Sequence, residues 1–340
     1  MKLIVITGIT GQQGGSVADA FLADKSWHIR AITRNPSRPS AQEWTARGVE
    51  LVRGDADDVS SLTAAFTGAH AIFAMTDYWA PLSDPAVQAE AAQRDISLNQ
   101  RGAEIEVQRG KNIALAAASP AVRKTLERLV YSSLGNYSEL SGGRYTQAWH
   151  CDSKAAVEKY MREDPILGPL ASFIHMGIYV DNWRRIPLDI QKDLVNGGYW
   201  HVAIDDGRKP VPVVWARRDT GPLVRMLIED VQPGARLLGY SQMLSRRDMM
   251  AVISRVLGIE LAGDQGIRQV SDGEYKAMIR GGDEHREHVL QIWQMLRDFG
   301  YDGEDPDTIY LEDIGAEDLV TSFEEYVKCE DWSELLARRV

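Results

Sequence analysis

Lys2-Leu3-Ile4-Val5-Ile6-Thr7-Gly8-Ile9-Thr10-Gly11-Gln12-Gln13-Gly14-Gly15 is the stretch that decides the fold. Residues 2–7 form a continuous apolar run of the kind buried on both faces of a parallel sheet, and glycines follow at once. Ser16 to Leu22 then places Val17, Phe21 and Leu22 on one helical face, and Trp27 to Thr33 resumes extended patterning. This is a βαβ unit of about 30 residues. Further strands are expected at Val49 to Arg53, Ala71 to Met75, Leu129 to Ser132 and Ser172 to Val180. Helical stretches lie between them, including Ile113 to Ala118. Alternation of this kind predicts an α/β fold, a Rossmann-type doubly wound parallel sheet.

Beyond residue 182 the rhythm breaks into Trp-, Gly- and Pro-containing connections, and a helix over Arg246 to Leu257 is stopped by Gly258. The expected division is a nucleotide-binding domain over 1–180 and a smaller C-terminal α/β domain over 181–340. The boundary is approximate, because such chains often cross back to add a strand to the main sheet. The 38 Lys and Arg against 49 Asp and Glu give a net charge of −11, which disfavours direct nucleic-acid binding. Cys151 and Cys329 lie far apart and show no metal-ligand spacing, so neither a disulfide framework nor a metal site is expected. No apolar stretch approaches the roughly 18 residues of a membrane span. A soluble cytoplasmic protein is expected, with the nucleus as a further location.

Gly8, Gly11 and Gly14 make a G-x-x-G-x-x-G loop between a buried strand and a helix. The first glycine permits the tight turn, the second lets backbone approach a pyrophosphate, and the third lets helix and strand pack closely. The helix N-terminus offers free N–H groups and partial positive charge to the phosphates. Thr10, Gln12 and Gln13 complete the expected cofactor-binding loop. Twenty residues after Gly14, where NAD binders carry a carboxylate, stands Arg34. A guanidinium there suits a 2′-phosphate, and Arg38 adds charge nearby, so NADP(H) is expected ahead of NAD(H). The alternative is that Arg34 is a solvated turn residue and the site accepts both. At the end of the third strand, Asp55 is either an adenine contact or one of the aspartates, with Asp57 and Asp58, that caps the next helix.

The sequence resembles the NmrA-like family, an atypical branch of the short-chain dehydrogenase/reductase superfamily. The matching residues are Gly8 to Gly15, Thr33-Arg34, Gly54-Asp55 and Asp152-Ser153-Lys154-Ala155-Ala156-Val157-Glu158. More distant matches are Tyr179-Val180-Asp181-Asn182, Asp219-Thr220-Gly221 and Phe299-Gly300-Tyr301. The resemblance implies a Rossmann domain with a smaller C-terminal domain, nucleotide in the cleft, and often regulation of partner proteins in place of turnover.

Enzymes of the superfamily carry a Tyr-x-x-x-Lys pair one helical turn apart, with lysine anchoring the ribose and favouring the phenolate. Here Lys154 is present, but His150 stands where the tyrosine would be. The resemblance assigns Lys154 to the nicotinamide ribose; otherwise it is a solvated helix lysine. His150 is a proton donor in tyrosine's place, a capping or packing residue, or a cofactor contact without chemistry. Ser132 and Ser133 end the fifth strand, where a carbonyl-orienting serine belongs, although serines also form ordinary turns there. Tyr137 and Tyr145, on the segment 134–149, are alternative phenols.

Three other features point to bland roles. His285-Arg286-Glu287-His288 reads as a charged helix face in preference to a metal site, and Asp302 to Asp307 reads as a solvated acidic loop. The basic residues Arg184, Arg185, Arg208, Lys209, Arg217 and Arg218 either line the cleft mouth or are scattered solvated charge. Two functions follow. One is a nucleotide-sensing regulator of a partner such as a transcription factor, favoured by the missing tyrosine. The other is an NADPH-dependent oxidoreductase acting on a small-molecule carbonyl, imine or activated alkene.

Overall fold

The computed structural model describes residues 1–184, 190–193, 195 and 197–337. Arg185 of the basic run lies outside them. Six strands of the main sheet come from residues 1–180: β1 (Lys2–Thr7), β2 (Trp27–Thr33), β3 (Glu50–Arg53), β4 (Ala71–Ala74), β5 (Arg128–Ser133) and β6 (Ala171–Met176). They join Arg236–Gly239 and Thr308–Ile309 in one eight-stranded sheet. From one edge the order is Thr308–Ile309, Arg236–Gly239, β6, β5, β4, β1, β2, β3, and every pairing is parallel.

The continuous apolar runs follow from burial on both faces: Ile4, Val5, Ile6, Ile72 and Phe73 are all fully buried. On one face the helix Gln12–Leu22 packs against the helix Ala216–Glu229. On the other, Leu98–Ala117 packs against Trp149–Glu163, and a Cβ on Gly110 would sit 2.2 Å from Val157.

The expected strand over 172–180 is divided at Gly177. There the chain passes so close to Pro212 that a Cβ would meet its carbonyl oxygen at 2.7 Å. Ile178–Tyr179 then pairs with Val213 and Val214 in a three-stranded sheet completed by Gln242–Leu244. The C-terminal lobe adds a second such sheet (Gln191–Lys192, Tyr199–Ala203, Ile267–Gln269) and the helices Arg246–Leu257 and Asp283–Phe299. The first of these helices has a Ser245–Asp248 capping box and ends at left-handed Gly258.

The Asp219-Thr220-Gly221 segment joins the parts. A Cβ on Gly221 would lie 2.1 Å from the Ser16 carbonyl oxygen, so only glycine allows the two helices to cross here. Buried Asp219 accepts hydrogen bonds from the backbone and hydroxyl of Thr321, at 3.1 and 2.7 Å, and pins the C-terminal segment to the helix Ala216–Glu229.

Candidate dinucleotide cleft

The strand order reverses between β1 and β4, and a crevice opens there at the carboxyl ends of the strands. Gly8 begins the loop at φ +69°, a conformation that favours glycine, with Met75 close on the β4 side. Thr7 Oγ1 accepts from the Met75 amide at 2.8 Å and ties the two strand ends together. Gly11 is the N-cap of the first helix and carries no side chain to block its amides. A Cβ on Gly14 would stand 2.4 Å from the Gly8 carbonyl oxygen. Thr10 is exposed on the loop, while Gln12 and Gln13 turn toward the C-terminal lobe. Gln12 donates to Asp181 at 2.7 Å and Gln13 to the Tyr179 hydroxyl at 2.6 Å, which accounts for the Tyr179-Val180-Asp181-Asn182 match.

Arg34 leaves the end of β2 exposed, and among the described residues no carboxylate lies within ion-pair distance of it. Asp57 pairs instead with Arg109 through two hydrogen bonds of 2.8 and 2.7 Å. Asp58 caps the helix Val59–Phe66, and the Asp55 carboxylate accepts from the Asp57 amide at 3.0 Å.

At the other end of the crevice, Lys154 is not solvated. Its ammonium pairs closely with Glu106, which is fully buried on the helix Leu98–Ala117. Glu106 also accepts from Thr76 Oγ1 at 2.7 Å and Ser153 Oγ at 2.5 Å, and Thr76 contacts the Tyr131 hydroxyl at 2.9 Å. Ser132 and Ser133 are buried, and the Ser133 hydroxyl donates toward the Lys154 carbonyl at 3.3 Å.

The Nδ1 atom of His150 lies 2.9 Å from Nε2 of His288, which is fully buried on the helix Asp283–Phe299. Burial, then His288 and Lys154, hold the His150 imidazole well below its ordinary range. Burial and His285 bring His288 down to about 3. The pair is therefore neutral near pH 7. Of the three roles open to His150, this lowering disfavours the proton donor. Cys151, beside it, is buried, and burial pushes its thiol up, which makes it unreactive.

Neither alternative phenol is free. Tyr137 is buried at the start of the short helix Tyr137–Leu140, and the Tyr145 hydroxyl donates to Asp298. Among the described residues, the basic side chains considered for the cleft mouth are each engaged with a partner. Arg184 pairs with Glu330, Arg208 with Asp206, Arg217 with Asp19 and Arg218 with Glu325, while Lys209 donates to a carbonyl. In the acidic loop, Asp302 accepts from Tyr310 and Asp305 pairs with Arg236, so it is a structural clasp as much as a solvated turn.

Glu106, Thr76 and Trp79 escaped the reading of the sequence, and His288, read as part of a charged helix face, is instead fully buried; no local pattern distinguishes a buried helix glutamate or histidine from an exposed one. An apolar cavity of about 60 Å³ lies in the C-terminal lobe, among Trp183, Met249, Met250, Phe323 and Trp332.

The fold and crevice define a Rossmann-type protein of the dinucleotide class with an appended C-terminal lobe. The chain belongs to the NmrA-like family, whose sequence model matches residues 1–333. It is 27 % identical over 272 residues to the NmrA-like family domain-containing oxidoreductase hkm9 of Aspergillus hancockii, a match covering 76 % of this chain and 73 % of that one. It is 34 % identical over 158 residues to the oxidoreductase cpsB of Aspergillus campestris, covering 46 % of this chain and only 41 % of the relative. Among solved structures it is similar to NmrA, a negative transcriptional regulator, in complex with NADP. That likeness has a TM-score of 0.69 at 22 % identity, over 96 % of this chain and 94 % of the other. Among the described residues, no helix is long and apolar enough to cross a membrane.

Proposed function

We propose that the protein binds NADP(H) in the crevice and acts as an NADPH-dependent oxidoreductase. The observation that carries this reading is the Lys154–Glu106 pair. A buried carboxylate is committed to fixing an ammonium at the carboxyl ends of β4 and β5, beside the Thr76 carbonyl at 3.5 Å. Such an arrangement is costly to bury and needs its further hydrogen bonds from Ser153 and Thr76. The relatives whose sequence likeness exceeds a shared fold are named oxidoreductases, whereas likeness to the transcriptional regulator is one of fold.

The residues present fit the nucleotide. The loop has no Cβ at Gly8, Gly11 or Gly14, the helix start offers its free amides to a pyrophosphate, and Arg34 makes no close ion pair, the nearby Asp57 being paired with Arg109. When bound, NADPH supplies a hydride. Lys154 holds the nicotinamide ribose, and Glu106 keeps Lys154 in place.

A second reading, a nucleotide-responsive regulator of a partner such as a transcription factor, is favoured by the lack of any free phenol at position 150, 137 or 145. Calorimetric titration with NADP and NAD tests the cofactor. Arg34→Ala is expected to weaken NADP by about 1–3 kcal/mol and leave NAD unchanged; equal losses would remove Arg34 from cofactor choice. Loss of NADPH absorbance with a panel of carbonyl and iminium compounds separates the two readings. Bound NADPH that no compound oxidises, together with nucleotide-dependent capture of a partner, would select the regulator.

A further inference from the structure

Trp183, Trp293, Met249, Met250 and Phe323 give the cavity of the C-terminal lobe an apolar wall, and His201 and Arg246 interrupt it. Both are deeply buried, at 8 % and 2 % exposed. Arg246 is the first residue of the helix Arg246–Leu257, where a cation meets the positive end of the helix dipole. Asp205 offsets that cost: Arg246 Nη1 donates to its two carboxylate oxygens at 2.9 and 3.1 Å. The guanidinium lies over Trp293, with its Cζ 4.7 Å from the ring centroid. Among the described residues, Nε and Nη2 of Arg246 have no hydrogen-bond partner.

The tautomer of His201 is fixed by the backbone beside it. Its Nδ1 lies 2.9 Å from the Val202 carbonyl oxygen, which can only accept, so the proton sits on Nδ1 and Nε2 keeps a lone pair. Among the described residues, nothing donates to that Nε2. Burial, then Arg246, bring the imidazole down to about 3, which keeps it neutral near pH 7. Free donors and a free acceptor therefore border one cavity out of water, and such groups are rare and costly when left unpaired. The cavity measures about 60 Å³. A single water needs about 10–15 Å³ of such space, so there is room for about five waters or a molecule of about six heavy atoms. The apolar wall offers waters few partners and suits a hydrocarbon body.

We propose that the C-terminal lobe binds a small aliphatic alcohol in this cavity, its hydroxyl accepting from Arg246 and donating to His201 Nε2, its hydrocarbon body against the tryptophan, methionine and phenylalanine wall. A hydroxyl is the smallest neutral group that both accepts and donates. A ketone would accept from Arg246 and leave Nε2 unpaired. A carboxylate would bring in a charge that nothing balances, because Asp205 already neutralises Arg246. An ammonium would meet the guanidinium. The wall touches the phosphate loop through Tyr179, whose hydroxyl accepts from Gln13, but none of its residues belongs to that loop or to the cluster around Lys154. The proposal therefore does not rest on the oxidoreductase reading.

The test uses the full chain without nucleotide, isotopically labelled at its methionine methyls, with cyclopentanol as the probe. In NMR titration the methyls of Met249 and Met250, assigned through Met249→Leu and Met250→Leu, are expected to shift while the other methionines stay in place. Cyclopentanone, with the same body and no donor, is expected to bind about tenfold more weakly. Cyclopentanecarboxylate and protonated cyclopentylamine are expected to bind more weakly than the alcohol. His201→Leu is expected to bring alcohol and ketone to equal affinity, and Ile253→Phe, which fills the cavity, to remove both. Should either variant fail to fold, the ratio of alcohol to ketone in the parent chain decides. Equal affinities there, tighter binding of the carboxylate, shifts centred on other methionines, or no shift at the solubility limit of the alcohol would overturn the proposal.

Discussion

The two ends of the crevice are built on different principles. At the phosphate end, one contiguous segment, Thr7 to Gly15, is shaped chiefly by its backbone: a left-handed Gly8, an uncapped helix start and a glycine that leaves no room for a Cβ. At the opposite end, side chains from four separated segments meet: Thr76 and Trp79 after β4, Glu106 on one helix, His150 and Lys154 on a second and His288 on a third. The first kind of site tolerates much change elsewhere in the chain. The second depends on every helix that supplies it.

This difference can be broken most severely at Glu106. Glu106→Ala leaves the Lys154 ammonium without its buried partner, and a loss of about 3–5 kcal/mol is expected in denaturant unfolding. The double variant with Lys154→Met is expected to recover much of it, because the uncompensated charge is gone. A single variant as stable as the parent would show that the pair contributes nothing to the fold.

Gly14→Ala probes the phosphate end. The added methyl would overlap the Gly8 carbonyl, so about 3 kcal/mol of stability and NADP binding are expected to be lost together, as followed by thermal unfolding and calorimetry.

Acid probes groups outside the glycine loop: His288 at the end built from side chains, His201 on the strand Tyr199–Ala203 of the C-terminal lobe and Asp219 on the helix Ala216–Glu229. His288 and His201 are both lowered to about 3 by burial, against 6.5 in the unfolded chain. Below about pH 6.5 the unfolded state takes up protons that the folded state refuses, so stability falls as pH falls. Asp219 acts oppositely. Burial raises it to about 6, and its contribution is present below its unfolded value and lost as pH rises through 6. Two imidazoles outweigh one carboxyl, and a net loss of about 2 kcal/mol is expected between pH 7 and pH 5. A melting temperature that rises over that interval would contradict the burial of these imidazoles.

The legible part of the molecule was the part whose structure is local. The run Lys2–Thr7, the glycine spacing, Arg34 at the end of β2 and the Gly258 stop report backbone requirements that hold within a few residues. The strand expected over 172–180 broke at Gly177 because Pro212, far along the chain, lies against it. The roles left open for His150 could not be narrowed from the sequence, because its partner His288 is 138 residues away.

The sequence by itself therefore determined the parallel sheet, the phosphate loop and the positive charge offered at the end of β2, since apolar periodicity and glycine geometry are properties of short segments. Only the tertiary structure decided that Lys154 is clamped by Glu106, that His150 and His288 form a neutral pair, and that Trp79 is left open between them. Burial and pairing depend on which distant segments the fold brings together, and they set the charge of every group at that end of the crevice.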